Sequence, residues 1–382
     1  MPIRPIRRSD HDALNRLHRQ VGWPERSQAG WRWLEANPAG LALGAPVGWV
    51  QADETDTPVA MLGNFVQCFH HGPRILHGAT GFSIIVPPER KGASRGLINA
   101  FLAQKGLFAR YTFNANARSA PLYGRFGLSP FPVETPALKL SWVVDRFACA
   151  QGRLLRKVLG GLSAATAARL GERLMNRRLF QPETLKLPAE VVKVRDVSER
   201  SGYAAFWRAL AGEGRLLADR SPATLRWRLA DPDQTIAPVM LGVQRQGRIV
   251  GFAMAMLGKA SLIEPPCLDV IDLVALGSAP DAVEILARAL IDNAKVMGAA
   301  KVRLQMVTPK LLDELGDLTP AARREGGWGH CHAIIDDPAL AAAWAPTPFD
   351  GDYGVCTRPV PSPRAHERPV RTASGQGRLS KA

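Results

Sequence analysis

Cysteine is scarce and scattered in this chain. Five residues, Cys68, Cys149, Cys267, Cys331 and Cys356, are spread over 382 positions. An odd count without framework spacing excludes a disulfide-stapled secreted scaffold and points to a reducing, cytoplasmic setting. Long apolar runs are missing too: no stretch of 18 uncharged apolar residues occurs, so no transmembrane helix is expected. The first ten residues carry three arginines and lack the apolar centre of a signal peptide. Acid is also short, with 34 Asp and Glu against 49 Lys and Arg, for a net charge of +15. Such an excess draws anionic partners: a phosphorylated small molecule, a lipid head group or RNA. Its distribution narrows the choice. Residues 146–186 carry a net +7 and residues 357–382 a net +5, so most of the excess lies outside the two folded units described next. Nucleic acid is therefore not the expected partner, whereas a peripheral contact of 146–186 with an anionic surface is compatible with the pattern.

Apolar residues make up 46% of the chain, the composition of a globular protein. The length exceeds one ordinary core and suits two domains. Residues 1–140 read as a first unit in which strands alternate with short helices: Ile3–Arg7, a helix near 10–20, Val47–Gln51, the alternating Val59–Phe69, a turn at His70–Pro73, Ile75–His77, the apolar run Phe82–Val86, a helix from Arg95 to Gly106, and Ala109–Phe113. Residues 141–188 form a basic connector with leucines at helical spacing. Residues 189–356 repeat the plan, with a hairpin at Val239–Arg245 and Ile249–Met256, a buried strand Leu268–Ala275 and a helix Ala282–Met297. Leu225-Arg-Trp-Arg-Leu-Ala-Asp-Pro232 echoes Trp31-Arg-Trp-Leu-Glu-Ala-Asn-Pro38, a weak internal duplication. The tail 357–382, rich in Pro, Arg, Ser and Gly, reads as disordered.

Two segments carry chemistry. Val86-Pro-Pro-Glu-Arg-Lys-Gly-Ala-Ser-Arg-Gly96 is a strand end running into a basic loop that opens a helix. Backbone N–H groups at such a helix start form an anion site. Gly92 and Gly96 are expected to let the backbone approach a diphosphate, with Lys91 and Arg95 adding charge. In Asn116-Ala-Arg-Ser-Ala-Pro-Leu-Tyr-Gly-Arg-Phe-Gly-Leu128, the spacing of Asn116, Ser119 and Tyr123 predicts one helical face, with Gly127 as its stop.

Both segments resemble the GNAT N-acyltransferase superfamily. Val86, Pro88, Glu89, Lys91, Ser94 and Gly96 fall on its Val-x-Pro-Glu-x-Arg-x-x-Gly-x-Gly pattern. Asn116, Ser119, Leu122, Tyr123, Gly127 and Leu128 fall on its Asn-x-x-Ala-x-x-Leu-Tyr-x-x-x-Gly-Phe pattern. Lys91 stands where the pattern has Arg, and Ser94 where it has Gly. The resemblance implies an α/β (α+β) chain of two GNAT-like folds, each a mixed central sheet flanked by helices, the second degenerate. It implies acyl-CoA, acetyl-CoA first, as co-substrate, held by Ile85, Val86, Lys91, Gly92, Ala93, Ser94, Arg95 and Gly96. The acceptor is a small-molecule or peptide amine that attacks the thioester directly. A backbone N–H near Ile85–Val86 polarises the carbonyl, and Tyr123, with Asn116 and Ser119 beside it, protonates the leaving thiolate. No general base is legible: Glu89 reads as a helix-dipole partner, and His77 is the candidate among His70, His71 and His77, with water left open.

The second unit lacks these marks. Leu273-Val-Ala-Leu-Gly-Ser-Ala-Pro-Asp281, in the place of the phosphate loop, has no Lys or Arg, and Asp281 repels phosphate. His330-Cys-His332 brings two metal-capable side chains, but strand alternation sends neighbours to opposite faces, so no metal is expected. Two other readings stay open: a FemAB-like transferase using aminoacyl-tRNA, and a non-catalytic module that binds an acyl carrier or an anionic surface.

Overall fold

The computed structural model describes residues 2–159, 185–234, 236–259 and 263–356. The strands are β1 (Ile3–Pro5), β2 (Gly48–Ala52), β3 (Pro58–His71), β4 (Arg74–Ile85), β5 (Ala109–Thr112), β6 (Ser129–Pro130), β7 (Leu138–Val143), β8 (Val191–Lys193), β9 (Leu217–Ala218), β10 (Val239–Arg245), β11 (Arg248–Gly258), β12 (Cys267–Ala275), β13 (Lys301–Leu304), β14 (Arg323–Gly326) and β15 (His332–Ile335). They build two mixed sheets, in the orders β1-β2-β3-β4-β5-β15-β6 and β8-β10-β11-β12-β13-β7-β14, with β9 added beside β3. Each sheet has the same succession of strand directions, antiparallel throughout except for one central parallel pair, β4 with β5 and β12 with β13.

The two halves exchange a strand. β7, from the end of the first unit, pairs with β13 and β14 in the second sheet, and β15 pairs with β5 and β6 in the first. A boundary at residue 140 therefore falls inside a strand of the second sheet, and residues 332–335 serve the first. Segment 349–356 also returns: Val355 is buried with Met61, Phe82 and Ile85 of the first sheet. The basic connector opens with β7 and continues into a helix, Arg146–Leu159; its remainder and the tail lie outside the described residues.

The duplicated sequence is where the halves meet. Helices α1 (His11–Gln20), α2 (Gln28–Glu35) and α3 (Pro38–Leu43) belong to the first half, and helix Pro222–Leu229 to the second. Ser27 and Ser221 cap α2 and its counterpart by accepting from the N–H three residues on, the ordinary remedy for open helix-start donors. Trp33 and Trp227, equivalent in the repeat, stack with ring centroids 4.4 Å apart, and Trp33 Nε1 donates to the Trp227 carbonyl at 2.8 Å. The residue before each capping serine is a buried arginine, Arg26 or Arg220. Arg220 grips Asp272 of β12 through Nε (2.8 Å) and Nη2 (3.0 Å) and reaches Thr347 and Asp350. Burial works against that charge, but Asp272 and Asp350 outweigh it and hold Arg220 above its ordinary pKa. β12 is buried along its whole length, which explains why its two aspartates each need an arginine: Asp269 is bound by Arg303 at 2.7 and 2.8 Å.

Candidate active site

β4 and β5 pair for only three residues, Gly78–Thr80 against Ala109–Tyr111. β4 then runs on to Ile85 while β5 stops at Thr112, so the parallel pairing ends before the last residues of β4. In the same stretch β4 bulges. Phe82 faces Gly63 and Ile85 faces Met61, which leaves Ser83 and Ile84 against the single residue Leu62. Ser83 has φ +48°, a left-handed value that a serine adopts only at a cost. Bulges of this kind re-aim backbone groups near sites. Ile75–His77 and the run that starts at Phe82 are not separate pieces but parts of one strand, β4, with Gly78 and Gly81 inside it. A Cβ on Gly78 would come within 3.0 Å of Phe69.

Beyond Ile85 the chain makes one short turn at Pro88–Arg90 and enters α4 (Ala93–Leu102). Leu97, Ile98 and Phe101 bury one face of α4. Gly92 caps its start with φ +97°, and a Cβ there would meet no atom within 4 Å. The backbone bonds of this turn run from Arg90 N to Pro87 O and from Arg95 N to Gly92 O. They leave the amides of Lys91 and Gly92 without a carbonyl partner among the described residues. Lys91, Gly92 and Arg95 are exposed, Ser94 half-buried and Ala93 buried. Gly96 serves packing instead of an open backbone: a Cβ there would lie 2.9 Å from Ile3 Cγ1 of β1.

Tyr123 sits on α5 (Ala120–Arg125), in one apolar cluster with Ala93, Leu97 and Ile98 of α4. Its ring is 6.0 Å from that of His332 of the exchanged strand. Burial first, and then the charge of Asp352, raises this phenol well above its usual value. Asn116 and Ser119 do not share a helical face with it. The helix starts only at Ala120, and the two residues close the preceding turn: Asn116 Oδ1 accepts from the N–H groups of Arg118 and Ser119 at 2.9 Å, and Ser119 Oγ accepts from Asn116 N at 3.1 Å. Asn and Ser favour such local bonds over helix interiors, and Pro121 excludes an earlier helical turn.

Two structural features are not legible in the sequence. His18 of α1 is buried, and its Nε2 lies 3.4 Å from Ser83 Oγ at the bulge. Its Nδ1 is 2.9 Å from the Leu14 carbonyl. A carbonyl only accepts, so Nδ1 carries the proton and Nε2 the lone pair. Burial, opposed by the Leu14 bond and reinforced by Arg26, lowers the His18 pKa. The second feature is a cavity of about 310 Å³. Glu25 and Arg26 after α1, Asp231 and Asp233 after helix Pro222–Leu229, and Met256 and Ile271 of β11 and β12 line it, and Tyr353 and Cys356 close one side. Arg26 binds Asp231 at 3.1 and 3.2 Å and donates to the Val355 carbonyl. The tyrosine and acids just before the basic tail were the only sequence signal for this return segment.

The equivalent loop of the second sheet is filled. Gly277 N donates to the Glu213 carboxylate at 2.7 Å, so a side chain takes the place of an incoming anion. Asp281 is paired with Arg245. His330 Nε2 donates to the Gln305 carbonyl at 3.1 Å, and Cys331 Sγ to that of Phe113 at 3.4 Å. Burial and the Lys139 charge push His330 down to about 3. Among the described residues no group of three or more His, Cys, Asp or Glu is arranged to hold a metal ion, and no helix is long and apolar enough to cross a membrane. His70 and His71 lie in β3 and not in a turn, and burial lowers the pKa of His77.

Among solved structures the chain is similar to Saccharomyces cerevisiae N-myristoyltransferase with bound myristoyl-CoA, with a TM-score of 0.51 at 9% identity over 87% of this chain and 78% of that one. The chain has the GNAT acyltransferase fold. It is also similar to Eis1 from Mycobacterium abscessus, with a TM-score of 0.47 at 15% identity over 88% of this chain and 74% of that one. No family model matches the sequence, and no curated protein does either. In this GNAT fold the parallel pair β4–β5, the α4 start and Tyr123 stand together in the first sheet, while the second sheet repeats the strands without an open loop.

Proposed function

We propose that this chain is an N-acyltransferase that moves an acyl group, acetyl first, from acyl-CoA to an amine. The observation that carries the reading is the early end of the β4–β5 pairing beside the bulge at Ser83, directly ahead of the exposed amides at the α4 start. The diphosphate of the donor lies on the amides of Lys91 to Ser94, with the Lys91 and Arg95 charges above it. Gly96 contributes by seating α4 close to β1. The thioester lies beyond the end of the β4–β5 pairing, where backbone N–H at Ile85–Val86 meets the developing oxyanion.

The acceptor comes from the 310 Å³ cavity. Its wall carries four carboxylates, Glu25, Asp231, Asp233 and Asp269, paired with Arg19, Arg26 and Arg303, a polar lining that suits an amine. His18 Nε2, with its lone pair at the bulge, takes the proton that the ammonium must lose before attack. The amine nitrogen then forms a bond to the carbonyl carbon, the carbon–sulfur bond breaks, and the CoA thiolate leaves, balanced by the proton that the new amide nitrogen gives up. Tyr123 donates a hydrogen bond or proton to that sulfur. A free phenol near pKa ~10 is already a poor acid toward a thiol of about 8.5, and burial widens the gap. Its role is modest stabilisation, with Asn116 and Ser119 as positioning residues that close the turn in front of it.

The test is release of free CoA thiol from acetyl-CoA over a panel of amines. Amine-dependent thiol release supports the reading. Binding only to tRNA or to anionic vesicles, with no thiol released, overturns it.

A further inference from the structure

Helix α6 (Arg146–Leu159) has two sides that differ in what they meet. Asp145 caps its start, with Oδ1 accepting from Ala148 N at 2.9 Å. On one side Ala148 and Gly152 are buried, Cys149 Sγ lies 3.8 Å from the Ala300 carbonyl, and Arg156 pairs with Glu264 at 2.8 Å. These contacts seat the helix against the chain leading into β12 and β13.

A second side is exposed and apolar. Phe147, Leu154 and Val158 are 73%, 63% and 64% exposed. Spacings of seven and four place the three within about 40° of one line along the helix, a ridge about 16 Å long. Arg146, Arg153 and Lys157 form a row about 100° round the helix from that ridge. All three cations are exposed, and none has an ion-pair partner among the described residues. The helix contains no Asp or Glu. An apolar ridge beside a cationic row, with acid absent, is the pattern of a helix that lies in the plane of an anionic membrane. A protein partner fits less well. Three side chains offer a few hundred Å² of apolar surface, short of the roughly 800 Å² that each member of a stable protein pair covers.

We propose that α6 seats this protein on an anionic lipid bilayer. Phe147, Leu154 and Val158 enter to head-group depth, and Arg146, Arg153 and Lys157 meet the negative charges of the lipids. The sequence from 146 to 186 carries a net +7, so the charge around the helix adds to the attraction. This inference does not depend on the acyl-transfer reading.

The test is flotation of the full chain with vesicles of phosphatidylcholine alone or with about a third phosphatidylglycerol. The native protein is expected to bind the anionic vesicles at least about tenfold more tightly than the neutral ones. Phe147→Ser/Leu154→Ser/Val158→Ser should lower that binding at least about tenfold although every charge remains. Arg146→Gln/Arg153→Gln/Lys157→Gln should do the same with the ridge intact, and Phe147→Leu, which keeps the ridge apolar, should retain binding. All three variants should melt like the native protein, because each changed side chain is exposed. No binding to anionic vesicles overturns the proposal. Equal binding by the serine variant also does, since it assigns the contact to the net charge of +15 alone. A serine variant that melts several degrees lower shows the ridge to be packed within the protein, and a native dimer that the serine variant splits assigns the ridge to a second copy; either result overturns it.

Discussion

Replacing Gly92 with alanine isolates the backbone at the α4 start from everything around it. The residue has φ +97°, and a Cβ there meets nothing within 4 Å, so the only penalty is conformational. For an L-residue in a left-handed conformation that penalty is about 1–2 kcal/mol. The chain can hold the turn and lose that much stability, or relax φ and carry the amides of Lys91 to Ser94 out of position. The turn is exposed and held by two backbone bonds, so relaxation is the expected course. The loss then appears in CoA affinity, as a five- to thirty-fold rise in Kd, with little change in the Tm of the free protein. Titration calorimetry with CoA beside thermal melts reads both quantities. Gly96→Ala is the control. Its Cβ presses on Ile3, a flexible side chain, so it should cost about 1 kcal/mol or more of stability and leave CoA affinity unchanged. If Gly96→Ala weakens CoA while Gly92→Ala does not, the phosphate loop has been assigned to the wrong amides.

Three further outcomes follow from the same geometry. Tyr123→Phe should lower kcat by about a hundredfold or less with the fold intact by circular dichroism, and unchanged turnover removes the phenol from the reaction. The native protein should keep full activity below the usual histidine pKa of ~6.5, because burial lowers His18 and its neutral, proton-accepting form persists to more acid pH; His18→Gln should abolish this acid limb in a pH profile of kcat/KM, and a limb that survives assigns the base elsewhere. Arg220→Leu should destabilise the chain by about 3–5 kcal/mol in denaturant melts, since Asp272 and Asp350 are left buried without their partner; a loss under 1 kcal/mol means water replaces the guanidinium.

The legible parts of this protein are the local ones. The turn from Val86 to Gly96 and the tyrosine before Gly127 are fixed by neighbours in sequence, so residue type and spacing carry them. The strand runs from Val59, Val239 and Leu268 are clear because β-branched and other apolar residues recur along each. What was not legible depends on partners far along the chain. Nothing in Leu138–Val143 says that it pairs with Lys301–Leu304 in place of the nearer β5, and nothing in His332–Ile335 names Ala109–Thr112 as its partner. Asn116 misled because its three- and four-residue spacing fits a helix as well as a capped turn. The close packing of Gly96 on Ile3, ninety-three positions earlier, is likewise invisible in the sequence. His18 passed unnoticed because its meaning comes from Ser83 across the bulge. The echo of Trp31–Pro38 in Leu225–Pro232 was visible, but the stacking of Trp33 on Trp227 needs both helices in place.

The central claim is that the amides of Lys91 to Ser94, with the Lys91 and Arg95 cations, hold the diphosphate of an acyl-CoA. Thermal shift of the full chain against CoA, for the native protein and for Lys91→Glu/Arg95→Glu, tests it most directly. A saturable rise in Tm at micromolar CoA that disappears in the double variant, both proteins melting alike without ligand, is the predicted result. No rise at millimolar CoA in the native protein, or an equal rise in the variant, contradicts it.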